Sequence, residues 1–319
     1  MKTVVLDGHA LNPGDLSWSG IEQLTALTVY DRTDRDLIVE RSRGAAILLT
    51  TKTPLTAETL RRLDGLRYIG VLATGYDNVD VRAARELGIV VTNVPAYGTD
   101  SVAQFVFALL LELCHHIPAH GDAVRAGEWS ANPDWSFSKT PLVELAGKTM
   151  GVVGFGRIGR QVARIANAMD MRVAANDEWQ ENAPDYPGFH WTSIDDLLQM
   201  SDVVTLHCPL LPATKGLIAA ERLRGMKPSA FLINTSRGAL VVDRDLADSL
   251  NEGRLAGAAL DVLSLEPPSP GNPLFTAKNC LITPHIAWAT KEARTRLMDV
   301  AVRNVAAFLD GTPKNTVKA

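Results

Sequence analysis

Lys148-Thr149-Met150-Gly151-Val152-Val153-Gly154-Phe155-Gly156-Arg157-Ile158-Gly159-Arg160 runs from an apolar stretch, Thr149 to Val153, into Gly154-x-Gly156-x-x-Gly159. An amphipathic segment, Arg160 to Met169, follows. A second apolar run, Met171 to Ala175, then ends at Asp177. The order is strand, glycine turn, helix, strand, acid, and each part suits a dinucleotide. Gly154 permits the tight turn, Gly156 lets the backbone approach a pyrophosphate, and Gly159 lets helix and strand pack closely. The helix N-terminus faces the phosphates with its N–H groups and positive dipole end. Arg157 and Ile158 therefore join the three glycines as expected cofactor-binding residues. Asp177, eighteen residues after Gly159, is placed to accept hydrogen bonds from the adenosine ribose. A bare glycine motif is weak; the flanking strands and the spaced acid make it specific.

The 319 residues suit two domains. A hydrophobic share of 46% and a charged share of 21% are ordinary for a globular protein. A net charge of −4 and a pI near 6.0 argue against a nucleic-acid surface and against an anionic membrane surface. The longest apolar stretch, Val102 to Cys114, contains Gln104 and Glu112 and is expected to be a buried helix, not a membrane span. Met1 to Asp7 enters a strand pattern at once, without the apolar core of a signal peptide. Cys114, Cys208 and Cys280 are odd in number and far apart, which suggests free thiols in a reducing, cytoplasmic setting.

Strand-like and helix-like segments alternate throughout. Val4–Leu6, Leu27–Tyr30, Ala46–Leu49, Tyr68–Val71 and Val90–Thr92 read as five strands, with helical patterns at Thr56–Leu63 and Val79–Leu87 between them. A long helix is expected at about Asp100 to His116. A second set of strands reads at Met150–Val153, Arg172–Ala175, Val203–Leu206, Ala230–Asn234, Ala258–Asp261 and Cys280–Thr283. Repeated β-α-β alternation implies parallel sheets covered by helices on both faces. The expected fold is α/β, with two Rossmann-like doubly wound parallel-sheet domains. The glycine motif opens the second set, so 99–287 is the expected NAD-binding domain. The last helix, about Lys291 to Leu309, should return to the first domain. That makes the substrate domain discontinuous, 1–98 plus 288–319. The Pro-rich stretches Asn132–Pro141 and Glu266–Pro273 read as loops.

Three later segments carry chemistry: Ile233-Asn-Thr-Ser-Arg237-Gly238, Leu260-Asp261-Val-Leu-Ser-Leu-Glu266-Pro267 and Ile282-Thr-Pro284-His285-Ile-Ala-Trp288. Ligands of open α/β sheets bind outside the carboxyl ends of strands. Arg237, Asp261, Glu266 and His285 all lie at or just past such ends. Reducing a 2-keto acid moves a hydride, supplied by the cofactor, and a proton. A histidine can supply the proton near neutral pH. A carboxylate against it favours the imidazolium and orients the ring. An arginine fork can hold the substrate carboxylate. Singly, each residue has a bland role as a loop or surface group; together, behind a dinucleotide motif, they point to catalysis.

On these segments the chain resembles the D-isomer-specific 2-hydroxyacid dehydrogenases along nearly its whole length. The resemblance also rests on Thr74-Gly75-Tyr76-Asp77-Asn78-Val79-Asp80, on Gly88-Ile89-Val90-Val91-Thr92-Asn93-Val94-Pro95 and on Ser101-Val102-Ala103. It implies that Arg237 binds the substrate carboxylate, that His285 is the general acid/base, and that Glu266 is its partner. It also implies that the loop Ala73, Thr74, Gly75 and Tyr76 helps hold the substrate, and that the protein is a homodimer paired through the nucleotide domains, with the helix at Asp100–His116 involved. Leu6 to Trp18, Val29 to Thr33, Pro95 to Asp100 and His285 to Thr290 resemble the glycerate dehydrogenase, or hydroxypyruvate reductase, branch. Ala73 and Tyr76 depart from the family's usual glycine and small aliphatic residue, which bears on the substrate and not on the reaction. Phosphoglycerate- and lactate-type enzymes, and a non-catalytic NAD(H)-sensing relative, are the alternatives.

Asn176-Asp177-Glu178-Trp179 offers two carboxylates and no arginine, so NAD is preferred over a 2′-phosphorylated cofactor. His207, Cys208 and Pro209, with Thr235, Ser236 and Asp261, complete the expected cofactor-binding set. The expected partner is a small 2-keto or 2-hydroxy acid. No metal is expected: His116 and His120 are four apart, but Pro118 interrupts the helix and no third ligand is apparent. Trp135 stands in a loop that can reach a substrate or simply pack.

Overall fold

The structure is a computed structural model that describes residues 1–317. The first part contains β1 (Lys2–Val5), α1 (Ser19–Glu22), β2 (Ala26–Val29), α2 (Ile38–Arg41), β3 (Ile47–Thr50), α3 (Ala57–Leu60), β4 (Tyr68–Val71), α4 (Val81–Glu86) and β5 (Val90–Thr92). Next come α5 (Thr99–His115), α6 (Ile117–Arg125), β6 (Thr149–Val153), α7 (Arg157–Ala168), β7 (Arg172–Asn176), β8 (Phe189–Trp191), α8 (Ile194–Met200) and β9 (Val203–Leu206). The last part contains α9 (Ala220–Gly225), β10 (Phe231–Asn234), α10 (Asp243–Asn251), β11 (Gly257–Leu260), β12 (Cys280–Ile282) and α11 (Lys291–Leu309). The chain divides into two compact units, 1–98 with 288–319, and 99–287. Lys318 and Ala319 lie outside the described residues.

The first unit holds a five-stranded parallel sheet in the order β2-β1-β3-β4-β5. Its inner strands β3 and β4 are buried at every position, because helices cover both faces. One face presents Val4, Leu48, Ile69 and Val91. The other presents Val5, Ile47, Leu49 and Tyr68, and Leu297, Ala301 and Val305 of α11 close over it. The returning helix is thus part of this unit's core. Arg294 of α11, 8% exposed, forks onto Asp15 at 2.7 and 2.8 Å and also donates to the Leu11 carbonyl.

The second unit holds a seven-stranded parallel sheet in the order β12-β11-β10-β9-β6-β7-β8. The chain builds outward through β6, β7 and β8, then returns and builds the other way through β9 to β12. The reversal lies between β6 and β9, the switch point at which such sheets bind ligands. Val106 and Leu110 of α5 and Val162, Ala163 and Ala166 of α7 pack on Met150, Val152, Val173 and Ile233. Among the described residues, no single helix is long and apolar enough to cross a membrane.

Three elements differ from the sequence reading. Strand β8 is additional: it is short, follows a polar loop, and is held by packing, with the Phe189 and Trp191 rings 5.2 and 5.1 Å from Phe155. Helix α7 starts at Arg157, inside the glycine motif, and not at Arg160, because Gly159 packs in its first turn. Pro118 does not merely interrupt a helix. His116 takes a left-handed conformation with φ 46°, and Pro118 opens α6 in the first turn, where its missing N–H costs nothing.

Asp202, at the foot of β9, ties the sheet's entry together. Burial opposes its charge, but hydrogen bonds from Lys227 Nζ and the Thr149 N–H, both 2.8 Å, hold its pKa below the ordinary carboxylate value. A depressed acid stabilises the fold above its unfolded pKa and loses that contribution as pH falls through its folded pKa. Lys227→Met should therefore cost about 1 kcal/mol at neutral pH. The deficit should shrink below about pH 4. Thermal melts across that range check this; a deficit independent of pH would contradict it.

Candidate active site

The cofactor side is built at the carboxyl ends of β6, β7, β9 and β10. Gly154 sits at φ +90°, and a Cβ there would come 2.4 Å from the Cys208 amide nitrogen. The turn after β9 therefore presses on the glycine loop, and only glycine fits. A Cβ on Gly159 would lie 2.2 Å from the Gly154 carbonyl oxygen, which is the close helix–strand packing the motif implies. A Cβ on Gly156 would meet nothing within 4 Å, so the backbone there faces open space at the N-terminus of α7. Phosphate oxygens suit that position, since the first-turn N–H groups of a helix have no intrahelical partners.

Asp177 follows β7, and its carboxylate is fixed beside the glycine loop. Oδ2 accepts the Phe155 N–H at 2.5 Å and Oδ1 accepts the Trp179 N–H at 3.1 Å. Arg160 of α7 stacks on the Phe155 ring at 4.8 Å and donates to the carbonyls of Glu181 and Asn182 at 2.7 and 2.6 Å. That guanidinium clamps the acid-bearing loop and is spent on carbonyls, while Glu178 is exposed.

The His207 backbone N–H donates to the Val153 carbonyl at 2.7 Å, and the ring Nε2 lies 2.9 Å from Thr205 Oγ1. Burial pushes its pKa down to about 3, so the ring is neutral. Burial pushes the Cys208 thiol up to about 11, which makes it a packing group and not a nucleophile. Pro209 gives its carbonyl to Thr214 Oγ1 at 2.6 Å. Ser236 Oγ donates to the Cys208 carbonyl at 2.8 Å and locks the turns after β9 and β10 together. Thr235 Oγ1 is buried with no hydrogen-bond partner among the described residues. An open glycine cradle, a helix N-terminus, a carboxylate one strand over and an orphaned hydroxyl fit NAD.

The acid–base side lies at the ends of β10, β11 and β12, where Asn234, Leu260 and Ile282 are in register. Buried Asn234 shapes the turn that carries Arg237: its Nδ2 donates to the Arg237 carbonyl at 2.9 Å and its Oδ1 accepts the Ser236 N–H at 3.0 Å. Sequence reasoning gave Asn234 no role; an amide at a strand end before Arg-Gly was the available signal. Gly238 abuts the next strand's loop, since a Cβ there would lie 1.9 Å from the Leu263 carbonyl carbon. The Leu263 N–H in turn donates to Glu266 Oε1 at 3.2 Å. Glu266 Oε2 lies 2.7 Å from His285 Nδ1. The turns after β10, β11 and β12 are thus linked in series.

Asp261, expected at the cofactor, is 1% exposed, and both of its oxygens accept hydrogen bonds from the turn that carries His285. Oδ1 accepts Thr283 Oγ1 at 2.7 Å and the Ile286 N–H at 2.9 Å; Oδ2 accepts the Ala287 N–H at 2.8 Å. Burial raises its pKa, and these hydrogen bonds work against the rise. His285 itself sits at φ 57°, a left-handed conformation uncommon for a side-chain-bearing residue, which this clamp supports.

Ala73, Thr74, Gly75 and Tyr76 form a turn after β4 in the first unit. Thr74 Oγ1 donates to the Val94 carbonyl at 3.0 Å, Asn93 Nδ2 donates to the Thr74 carbonyl at 2.7 Å, and Tyr76 is 40% exposed. His120 has both ring nitrogens engaged, with the His116 carbonyl at 2.9 Å and the Lys139 N–H at 3.0 Å. Trp135 is 88% exposed, and its carbonyl accepts from Trp129 Nε1 at 2.9 Å.

Residues 107–287 match the family described as D-isomer specific 2-hydroxyacid dehydrogenase, NAD binding domain. The chain is 50% identical over 320 residues to a hydroxypyruvate reductase of Blautia hydrogenotrophica, covering 99% of each. It is 41% identical over 284 residues to a glycerate dehydrogenase of Methylorubrum extorquens, covering 88% of each. Among solved structures, a D-lactate dehydrogenase from Aquifex aeolicus complexed with NAD and lactic acid is similar at TM-score 0.85 and 29% identity, over 98% of this chain and 96% of that one.

Proposed function

The chain belongs to the D-isomer specific 2-hydroxyacid dehydrogenases, NAD-binding oxidoreductases, and from that premise we propose that it reduces hydroxypyruvate and glyoxylate to the D-2-hydroxy acid with NADH. The observation that carries the reading is the His285 Nδ1 to Glu266 Oε2 pair at 2.7 Å, one strand away from the turn of Arg237. An imidazole seated against a carboxylate favours an enzyme over a protein that only senses NAD(H).

NAD(H), when bound, exchanges a hydride with C2 of the substrate. Arg237 takes the substrate carboxylate in its planar fork and orients the carbonyl. His285 keeps Nδ1 toward Glu266 and delivers the proton from Nε2 to the carbonyl oxygen as negative charge develops there. Glu266 stabilises the imidazolium before transfer and holds the ring's orientation. In the oxidative direction the neutral ring takes the hydroxyl proton. Asp261 holds the turn on which His285 stands. The turn Ala73–Tyr76 keeps its substrate-binding assignment on the family resemblance.

Asp177 and Glu178 favour NADH, because a 2′-phosphate would meet carboxylates while Arg160 is held on backbone carbonyls. Asp177→Ser with Glu178→Arg should narrow or invert the ratio of kcat/KM for NADH over NADPH. A parent enzyme that prefers NADPH at low cofactor concentration would contradict this assignment.

The homodimer reading is supported by exposed apolar side chains in one stretch of the second unit, namely Ile117, Val124, Trp129, Trp135 and Leu142. They lie on α6 and the segment after it, whereas most apolar residues of α5 are buried within the unit. Three unpaired thiols fit a reducing cytoplasm. Turnover of NADH with hydroxypyruvate, glyoxylate, pyruvate and larger 2-keto acids tests the proposal. Fastest turnover with the two small substrates supports it, preference for a larger acid overturns the substrate assignment, and no turnover with any supports a binding protein.

A further inference from the structure

Glu266 stands within eight consecutive exposed residues, Ser264 to Gly271. The loop's ends are anchored by Leu263 and Leu274, 7% and 1% exposed, but between them packing is thin. An open cleft of about 320 Å³, lined by Arg244, Asn251, Gly271, Asn272 and Phe275 among others, borders its far side. Apolar burial therefore does not fix where the Glu266 carboxylate points. A single oxygen brackets the loop instead. Oδ2 of Asp243, in the first turn of α10, accepts Ser264 Oγ at 2.6 Å and Asn272 Nδ2 at 2.8 Å. Asn272 continues the brace, because its Oδ1 accepts the Leu274 N–H at 2.9 Å.

We propose that Asp243 is a positioning residue for the acid–base pair: by tying Ser264 to Asn272, it sets the loop from which Glu266 reaches His285. The proposal rests on the reading that the Glu266–His285 pair moves the proton. An acid in the first turn of a helix also interacts with the helix dipole. That role depends on charge, whereas the brace depends on an acceptor oxygen, and Asn supplies the oxygen without the charge. The neighbouring Asp245 serves elsewhere, accepting the Ala220 N–H at 2.8 Å.

The test measures hydroxypyruvate kinetics and NADH affinity for Asp243→Ala, Asp243→Asn, Ser264→Ala, Glu266→Gln and the double variants that combine Asp243→Ala or Ser264→Ala with Glu266→Gln. Asp243→Ala should lower kcat about tenfold, since small misplacements of a catalytic group are costly. NADH affinity should stay within about twofold, and Asp243→Asn should restore most of the rate. In the Glu266→Gln background, Asp243→Ala should add less than about twofold, because residues acting through one another are not additive. Ser264→Ala, an exposed change, removes one arm and should show a smaller loss with the same coupling, so the proposal stands testable if Asp243→Ala does not fold. Parental kcat in both Asp243→Ala and Ser264→Ala, full additivity with Glu266→Gln, or an Asn variant no better than Ala overturns it. Parental kcat in Glu266→Gln itself overturns the underlying reading of the pair.

Discussion

Replacing His285 with Gln or Ala should lower kcat for hydroxypyruvate reduction by at least about a hundredfold, within the range for loss of a general acid. The ring's Nδ1 is 2.7 Å from Glu266, and its turn is held by Asp261 through Thr283 Oγ1 and two backbone N–H groups. The ring and its turn are therefore held in place, and Gln, which cannot donate and regain a proton, should not replace a general acid. NADH affinity should change little, because His285 belongs to the turn after β12, whereas Gly154, Gly156 and Asp177 stand at β6 and β7. Steady-state rates with a fluorescence titration of NADH separate the two quantities. An unchanged kcat would remove His285 from the role given to it.

Arg237→Lys should be nearly as harmful although charge is conserved. Lysine offers a compact ammonium and loses the planar fork that holds a carboxylate in two parallel hydrogen bonds. The carbonyl then loses its orientation, so KM should rise and kcat fall together, with kcat/KM down about a hundredfold. The turn itself should survive, since Asn234 Nδ2 holds the residue through its carbonyl oxygen. A lysine variant with parental kcat/KM would show that Arg237 does not hold the carboxylate.

Much of the fold was legible because parallel strands covered on both faces are continuous apolar runs. Tyr68–Val71, Val90–Thr92 and Val203–Leu206 are strands as read, and α11 spans Lys291–Leu309 as read. β8 was not legible: three residues give no periodicity, and the strand exists because Phe189 and Trp191 pack around Phe155. The start of α7 was hidden because glycine is a poor helix former, and only the approach of Gly159 to the Gly154 carbonyl explains why it stands in a first turn. The start of α6 was hidden behind a proline read as a stop.

The candidate site was legible as residue types at strand ends, and less so as partnerships. Asp261 was expected at the cofactor from its place after a strand, and its hold on the His285 turn was not legible. Its three donors come from Thr283, Ile286 and Ala287, which no local pattern connects to it. The same is true of Asp243, whose partners lie 21 and 29 residues away.

The configuration of the product tests the proposed reaction and the roles of Arg237 and His285 together. With NADH and hydroxypyruvate, Arg237 holding the carboxylate and His285 protonating the carbonyl oxygen, chiral analysis should return D-glycerate. L-glycerate would contradict the proposed D-specific reduction, whatever the rate at which it formed.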